Sequence, residues 1–325
     1  MVSRRQLASS VAAAVLATAL ARPSHAQRLP DGAVTIIVPS TPGTGHDTLA
    51  RLCAPYLQQL FGQAVVVENR AGASGNIGSH AVARAAPDGR TLMMHGDPLV
   101  MNTSLYRDLP YDPVRSFAPI IQLTTADLVL AVNPDVPAET AAAFVSLAGA
   151  QPGTLDYASP GNGTPHHLAM AMFALSTGIR ITHVPYRGTS QALQDLIGRR
   201  ITAMMVPVHV AVPLAREGQI RILGIGATQR SAIAPEVPTL QEAGISMGDT
   251  TMWYGLLGPA GLPGDFVQRV NLALNAWLLL PATQAALRTQ GMAPAGGSPE
   301  QFGAKLARDV QRWATLVREA GISVD

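Results

Sequence analysis

The sequence predicts an α/β protein with two lobes. Short apolar runs rich in β-branched residues alternate with Ala- and Leu-rich stretches at helical spacing, in units of about 30 residues, as in parallel β-α-β crossovers. The alternation restarts near Ile120, and 325 residues is a length at which one core usually divides into two. We interpret the C-terminal part as completing the first lobe, so that the chain crosses between the lobes twice.

The first series of elements begins with Val34–Val38, a continuous apolar run typical of a buried strand. Apolar residues then recur at helical spacing over residues 46–61, and Gly62 is the predicted helix stop. The other elements predicted before Ile120 are a strand at 65–67, a helix at 78–86 and a strand at 91–94.

The second series has the same alternation. Its predicted strands are 128–132, 155–158, 182–184, 201–206 and 222–226, and its predicted helices lie near 138–148, from Pro165 onward, and at 191–198. A glycine- and proline-rich return segment at 255–264 precedes two closing helices at 263–279 and 299–319. The predicted lobes are therefore residues 27–125 with 248–325, and residues 126–247.

Residues 1–26 have the pattern of a secretory signal peptide. Arg4 and Arg5 precede an apolar run of about 15 residues, and Ser24-His25-Ala26 supplies small residues at a cleavage position. The alternative, an N-terminal membrane anchor, is disfavoured because a spanning helix takes roughly 20 residues. We expect cleavage after Ala26 and a periplasmic location, by either general or twin-arginine export.

The charge balance argues against a nucleic-acid or anionic-membrane partner. Residues 1–26 contain three arginines and no acidic residue, so 20 basic and 21 acidic residues remain after them. The single cysteine, Cys53, lies in an apolar helical pattern and is predicted to be a buried hydrophobic residue without a disulfide. We expect a monomer.

Three glycine-rich loops follow predicted strands and lead into helices. Ligands of parallel α/β sheets bind at the carboxyl ends of strands, and unpaired N–H groups at helix N-termini favour anions. The candidate ligand-binding residues are Ser40, Thr41, Gly43, Thr44, Gly45, His46 and Asp47 in the first loop, Ser74, Gly75 and Asn76 in the second, Ser159, Gly161, Asn162, Gly163, Thr164 and His166 in the third, and His95 after the third strand. The alternative is that these loops are tight turns in which Asp47, Asn76 or Thr164 caps a helix.

Several other kinds of site are excluded or disfavoured. A P-loop needs a lysine that the loops lack, because Lys305 is the only lysine, and no dinucleotide fingerprint or hydrolase elbow occurs. Adjacent helical histidines, His166-His167, point about 100° apart and disfavour a metal site. We therefore predict no catalytic residue, cofactor or metal. Trp253 and Tyr254 either line the ligand site or pack at the lobe crossing.

A series of short motifs resembles one family over essentially the whole chain after residue 26. The motifs are Pro42-Gly43 with Asp47 and Ala50-Arg51, Val67-Glu68-Asn69-Arg70, Ala86-Pro87-Asp88-Gly89, Tyr111-Asp112-Pro113 with Phe117, Gly161-x-Gly163-Thr164 with His167-Leu168-Ala169, Val184-Pro185-Tyr186-x-Gly188, Pro235-x-Val237-Pro238-Thr239, and Trp253-x-Gly255-Leu256. Their order and spacing resemble the Bug family, the extracytoplasmic solute receptors of tripartite tricarboxylate transporters.

The resemblance implies a type II-like periplasmic binding protein fold that closes around a small organic carboxylate and passes it to membrane transporter subunits. Loop amides and hydroxyls of the first lobe would hold the carboxylate, and the second lobe would close over the rest. A sensor receptor is the first alternative, and a hydrolase-like enzyme on the same scaffold is the second.

The sequence departs from the family pattern at several positions. These are Ser40, Thr44-Gly45-His46, Ala171, Thr202 and Met205-Val206. Where acidic residues are usual the chain has apolar or neutral ones, so we expect a carboxylate with an apolar or aromatic body rather than an amino acid.

Overall fold

The computed structural model of the protein describes residues 32–322, so the predicted signal peptide lies outside the described residues. In this part of the chain, two sheets are covered by ten α-helices. The helices are α1 (Gly45–Phe61), α2 (Asn76–Ala83), α3 (Pro98–Leu105), α4 (Ala141–Ala150), α5 (Pro165–Thr177), α6 (Thr189–Ile197), α7 (Val208–Arg216), α8 (Gly264–Leu278), α9 (Pro281–Thr289) and α10 (Pro299–Ala320).

Eleven strands form the two sheets of the described residues. They are β1 (Val34–Val38), β2 (Val65–Asn69), β3 (Thr91–Gly96), β4 (Phe117–Ala126), β5 (Leu128–Val132), β6 (Asp156–Ser159), β7 (Thr182–Pro185), β8 (Ala203–Pro207), β9 (Arg221–Ile225), β10 (Met252–Pro259) and β11 (Ala293–Pro294). The first sheet has the order β11-β4-β10-β3-β1-β2, and the second has the order β7-β6-β8-β5-β9.

Each sheet combines parallel and antiparallel pairs. β1 is parallel to β2 and β3, and β6 is parallel to β7 and β8, as expected for β-α-β crossovers. In contrast, β10 is antiparallel to β3 and β4, and β5 is antiparallel to β8 and β9. The central strands are buried on both faces, which explains their continuous apolar sequences.

The chain passes between the sheets twice. Asp127 alone separates β4 from β5, and residues 226–251 connect β9 of the second sheet to β10 of the first. The Thr251 hydroxyl joins the two connections by donating to the Asp127 carboxylate at 3.3 Å, and the Thr250 hydroxyl ties the ends of the second connection by donating to the Gly226 carbonyl at 2.6 Å. The predicted α/β fold with two crossings is confirmed.

The segment at 255–264 differs most from its prediction. It was expected to be an irregular return segment, but its first half belongs to β10, a fully buried strand between β3 and β4. Gly255 is required there, because a Cβ at this position would lie 2.3 Å from the Phe302 ring. The C-terminal part also contains three helices instead of two, since α9 follows α8 directly.

Within residues 32–322 no single helix is both long and apolar enough to cross a membrane. Helices α8 and α9 together have the length and apolar composition of a membrane-spanning segment, but a bend of 77° separates them.

Candidate functional site

The loop-bearing edges of the two sheets face each other across the crossings. β4 runs parallel to β3, and its carboxyl end leads through Asp127 directly into β5. The start of β5 lies beside the carboxyl ends of β8 and β9, because Leu128 pairs with Pro207 and Val129 with Ile225. The loops that follow β1, β2 and β3 are therefore at the edge nearest to the loops of the second sheet.

Hydrogen bonds join the first and second loops to each other. Asn69, at the end of β2, donates from Nδ2 to the Ser40 carbonyl at 3.1 Å and accepts from Arg51 Nη2 at 3.1 Å. Arg51 also donates to Asp47 from Nε at 3.0 Å, and the second oxygen of Asp47 accepts the Gly43 N–H at 2.9 Å. The Asp47 carboxylate therefore holds the loop in shape.

The pKa of Asp47 reflects this role. Burial alone raises the pKa of this carboxyl, but hydrogen bonds from Arg51, Gly43 and Asn69 outweigh burial and lower it below its ordinary value. The side chain stays ionised and is occupied by partners within its own loop.

The carboxyl ends of β1 and β3 meet the second loop at Gly75. A Cβ at this position would lie 3.0 Å from the Pro39 carbonyl and 3.2 Å from the His95 ring. The residues Gly72, Ala73, Ser74 and Gly75 all have positive φ, which strains the two that are not glycine. The chain accepts this strain where three strand ends converge.

The helices that follow these two loops begin without a side-chain cap. Thr44 precedes α1 and Gly75 precedes α2, and neither provides a capping hydrogen bond. The Thr44 hydroxyl instead bonds the Ser40 hydroxyl at 2.7 Å and donates to the Thr41 carbonyl at 3.0 Å. The first N–H groups of α1 are therefore available to an anion, whereas the first N–H of α2, that of Asn76, already donates to the Ala73 carbonyl.

The side chains of the second loop are occupied by the protein itself. Asn76 is the first residue of α2, and its Oδ1 accepts from Asn102 Nδ2 at 2.7 Å and from the Tyr111 hydroxyl at 2.8 Å. The Ser74 hydroxyl bonds that of Tyr106 at 2.8 Å. The Ser74 and Asn76 side chains are therefore already bonded within the protein.

Three predicted histidines have ring nitrogens that are buried without a hydrogen-bond partner. These atoms are His46 Nε2 and both ring nitrogens of His95 and His166. Burial lowers the pKa of His46 and of His166 to about 4. Burial and the nearby His46 lower the pKa of His95 well below its ordinary value of 6.5. The three imidazoles are therefore neutral at pH 7.

His95 was expected in a loop after the third strand, but it lies within β3, because the strand continues to Gly96. Its side chain is 2% exposed, and its ring meets that of His46 edge to face at 5.7 Å. The His95 ring therefore packs against His46 of the first loop and beside Gly75 of the second loop.

The third loop forms its bonds within the second lobe. Thr164 caps α5, because its hydroxyl accepts the His167 N–H at 3.4 Å and donates to the Gly161 carbonyl at 2.8 Å. The capping alternative is confirmed for Thr164 alone of the three residues considered. Gly163 N–H donates to His167 Nδ1 at 3.1 Å. Asn162 is exposed at the tip. No hydrogen bond within residues 32–322 joins this loop to the first two.

Ser159 forms a pair that the sequence did not indicate. Its hydroxyl lies 2.7 Å from His183 Nε2, and the His183 ring stacks between those of His167 and Tyr157 at 3.9 and 4.8 Å. The same hydroxyl donates to the Gly161 carbonyl and accepts the Gly161 N–H. Because Ser159 is completely buried and its hydroxyl is bonded to Gly161 and His183, the pair holds the shape of the loop.

Two further residues near the first loop were not predicted as site residues. Tyr254 on β10 packs edge to face against His46, with ring centroids 4.9 Å apart. Asp97 follows β3 and accepts the Trp253 N–H at 3.0 Å. The aromatic pair Trp253-Tyr254 was the signal for Tyr254, whereas nothing in the sequence distinguishes Asp97 from other acidic residues.

The described residues contain no group of three His, Cys, Asp or Glu side chains placed to hold a metal ion. The arginines of the first and second loops are bonded to acidic groups, Arg51 to Asp47 and Arg70 to Glu68. The donors that remain for a ligand there are uncharged.

The family is established by comparison with known proteins. The sequence model of the family described as "Tripartite tricarboxylate transporter family receptor", TctC, matches residues 49–322. The chain belongs to this receptor family. Tripartite tricarboxylate receptors are periplasmic solute-binding proteins. Protein BugT of Bordetella pertussis is 34% identical over 309 residues, which cover 94% of this chain and 95% of BugT.

Solved structures of tripartite tricarboxylate receptors have the same fold. R. palustris Rpa4515 with adipate is 32% identical and has a TM-score of 0.82, covering 91% of this chain and all of that one. MatC from Rhodopseudomonas palustris with bound malate is 29% identical, with a TM-score of 0.78, covering 89% of this chain and 99% of that one. The two-lobed architecture is therefore shown for this chain.

Proposed function

We propose that this protein captures a small organic carboxylate in the periplasm and delivers it to the membrane subunits of a tripartite tricarboxylate transporter. The observation that supports this most is the uncapped N-terminus of α1, at the edge of the first sheet that faces the second. Its N–H groups offer a carboxylate main-chain donors without a competing cation. The bound adipate and malate of the related receptors are ligands of this class.

The two lobes are assigned different tasks. The first lobe, residues 27–125 with 248–325, holds the carboxylate with free N–H groups. The second lobe, residues 126–247, closes over the body of the ligand with a loop whose own donors are already bonded. Closure would bend the two crossings, which Asp127 and Thr251 hold together.

The protein is proposed to act as a monomer without cofactor, metal or chemistry of its own. The buried state of Ser159 supports this view, because the one serine-histidine pair at the third loop is closed to substrates. The N-terminal pattern of residues 1–26 supports export to the periplasm.

A thermal-shift screen with native mass spectrometry tests the proposal. The panel contains succinate, malate, adipate and benzoate, with adipamide and 1,6-diaminohexane as neutral and cationic controls. A ligand at 100 times its Kd should stabilise the protein by about 2.7 kcal/mol. We expect a carboxylate to raise the Tm. If no carboxylate does so and a control compound does, the proposal is wrong.

A further inference from the structure

The hydroxyl of Tyr254 lies against the start of α1. Tyr254 is the third residue of β10, just after the second crossing, and its side chain is 8% exposed. Its oxygen would be only 2.8 Å from a Cβ at Gly45, the first residue of α1. The hydroxyl therefore points at the uncapped N-terminus of a helix of 17 residues.

This hydroxyl has no hydrogen-bond partner within residues 32–322. The Tyr254 side chain is almost entirely buried, so little water can reach its hydroxyl, and an acceptor on a ligand would supply the missing partner. The groups beside it are also unsatisfied: the first N–H groups of α1 lack a cap, and His46 Nε2 is buried without a partner. The N–H groups and the hydroxyl are all donors, so an acceptor between them would satisfy several at once.

The hydroxyl remains a donor at neutral pH. Burial, and after it the neighbouring Asp97, raise the pKa of Tyr254 above its ordinary value, so the phenol keeps its proton. The ring is held in place by His46, so the direction of the O–H group is restricted.

We propose that Tyr254 is a specificity-determining residue of the carboxylate site, and that its hydroxyl donates to a carboxylate oxygen held at the N-terminus of α1. The inference rests on the proposed function, because it names the side chain that recognises the ligand headgroup. A buried donor of this kind favours an anionic acceptor over an ester or amide of the same shape, since a poorer acceptor leaves the hydroxyl less well paired.

The position of Tyr254 also joins recognition to closure. β10 enters the first sheet directly from the second crossing, so the strand that bears the hydroxyl is continuous with the hinge. A ligand that fixes Tyr254 thereby fixes the end of one crossing segment.

Isothermal titration calorimetry of Tyr254→Phe tests the proposal, with succinate, malate, adipate and benzoate as probes. The substitution keeps the ring packing on His46 and removes only the hydroxyl. The loss of a hydrogen bond to a charged group should weaken binding about 10- to 100-fold. The matched control is Tyr56→Phe, which removes a hydroxyl from the other end of α1, where the ring packs near Trp277. The control should bind within about twofold of wild type.

Two features separate recognition from a folding defect. The affinity should fall by a similar factor for carboxylates with different bodies, because the hydroxyl contacts only the headgroup they share. Gly45→Ala provides a second variant, since its Cβ would lie 2.8 Å from the Tyr254 oxygen and displace the hydroxyl while the side chain remains. We expect this variant to bind at least 10-fold more weakly, and its Tm measures separately what the displacement costs in stability.

The outcomes distinguish the two proposals. Wild-type binding of no carboxylate overturns the proposed function and this inference with it. Wild-type binding with equal affinity in Tyr254→Phe overturns the inference alone, as does unchanged affinity in Gly45→Ala.

Discussion

At the scale of single residues, Asp97 is the buried carboxyl with the clearest consequence. It accepts the Trp253 N–H, and the ion pair between Lys305 and Asp309 on α10 lies nearby. Burial raises the pKa of Asp97 to about 7, against an ordinary value of 3.8, although the Trp253 hydrogen bond and Lys305 oppose the rise. Between pH 3.8 and about pH 7, the Asp97 carboxyl is therefore protonated in the native protein and ionised in the unfolded chain.

This difference sets the sign of a prediction for Asp97→Asn. The contribution of Asp97 to stability is fully present below about pH 4, declines as the pH rises from there, and is lost once the pH has passed 7, where the native carboxyl ionises. Asparagine keeps the acceptor and cannot ionise. We therefore expect the stability of Asp97→Asn relative to wild type to increase from pH 4 to pH 8, by urea unfolding. Equal differences at the two pH values would contradict the assignment.

His46, His95 and His166 show how far residue-level prediction reached. The positions of His46 and His166 at helix starts were sufficient to select them from sequence, whereas His95 was selected as a loop residue and lies within β3. Their burial and missing partners depend on neighbours from other elements, such as Gly96 beside His46, and no local pattern encodes those. The Ser159–His183 contact likewise depends on the parallel pairing of β6 with β7.

At the scale of elements, β1 and β5 match their predicted bounds, because each is a continuous apolar run of five residues. β10 was misassigned because glycine and proline are typical of loops. Gly255 and Gly258 are instead positions where the Phe302 and Leu262 side chains pack on the strand, so tertiary packing decided their identity. The helices α3 and α7 were not predicted at all. Both begin directly after a strand, and each lies in a stretch that continues the apolar pattern of that strand.

The N-terminus of α5 carries an element-level prediction. Thr164→Ala removes the cap, so we expect the free energy of unfolding to fall by about 1 kcal/mol, as measured by urea denaturation. Thr164→Ser keeps the capping oxygen and should retain most of the stability. If alanine and serine variants are equally stable, the cap contributes nothing to this helix.

At the scale of the whole molecule, the buried histidines predict acid sensitivity. Burial lowers the pKa of His46, His166 and His167 to about 4, against 6.5 in the unfolded chain, and it lowers that of His95 well below 6.5. The unfolded state therefore binds more protons between about pH 4 and 6.5, and stability falls as the pH decreases through this range. Burial raises the pKa of Asp97 and Asp127, which act in the opposite direction, and it lowers the pKa of His183 and His209, which add to the effect of the four histidines.

Unfolding free energies measured by urea denaturation at intervals from pH 8 to pH 4.5 test this prediction. We expect a decline that begins near pH 6.5 and becomes shallower in His46→Gln. A matched control, His80→Gln at the surface near the Pro110 carbonyl, should keep the wild-type slope. A stability that stays constant down to pH 4.5 would show that the imidazoles are not buried as described.

The location of β10 also determines the order in which the polypeptide can reach its final form. The second sheet consists of residues 128–225, a continuous stretch, whereas the first lacks its middle strand until residues 252–259 have been made. Until then β3 and β4 have no partner between them, and a long-range pairing of this kind is slow to form. A nascent chain that ends before Met252 contains every strand of the second sheet, but it lacks β10 of the first sheet.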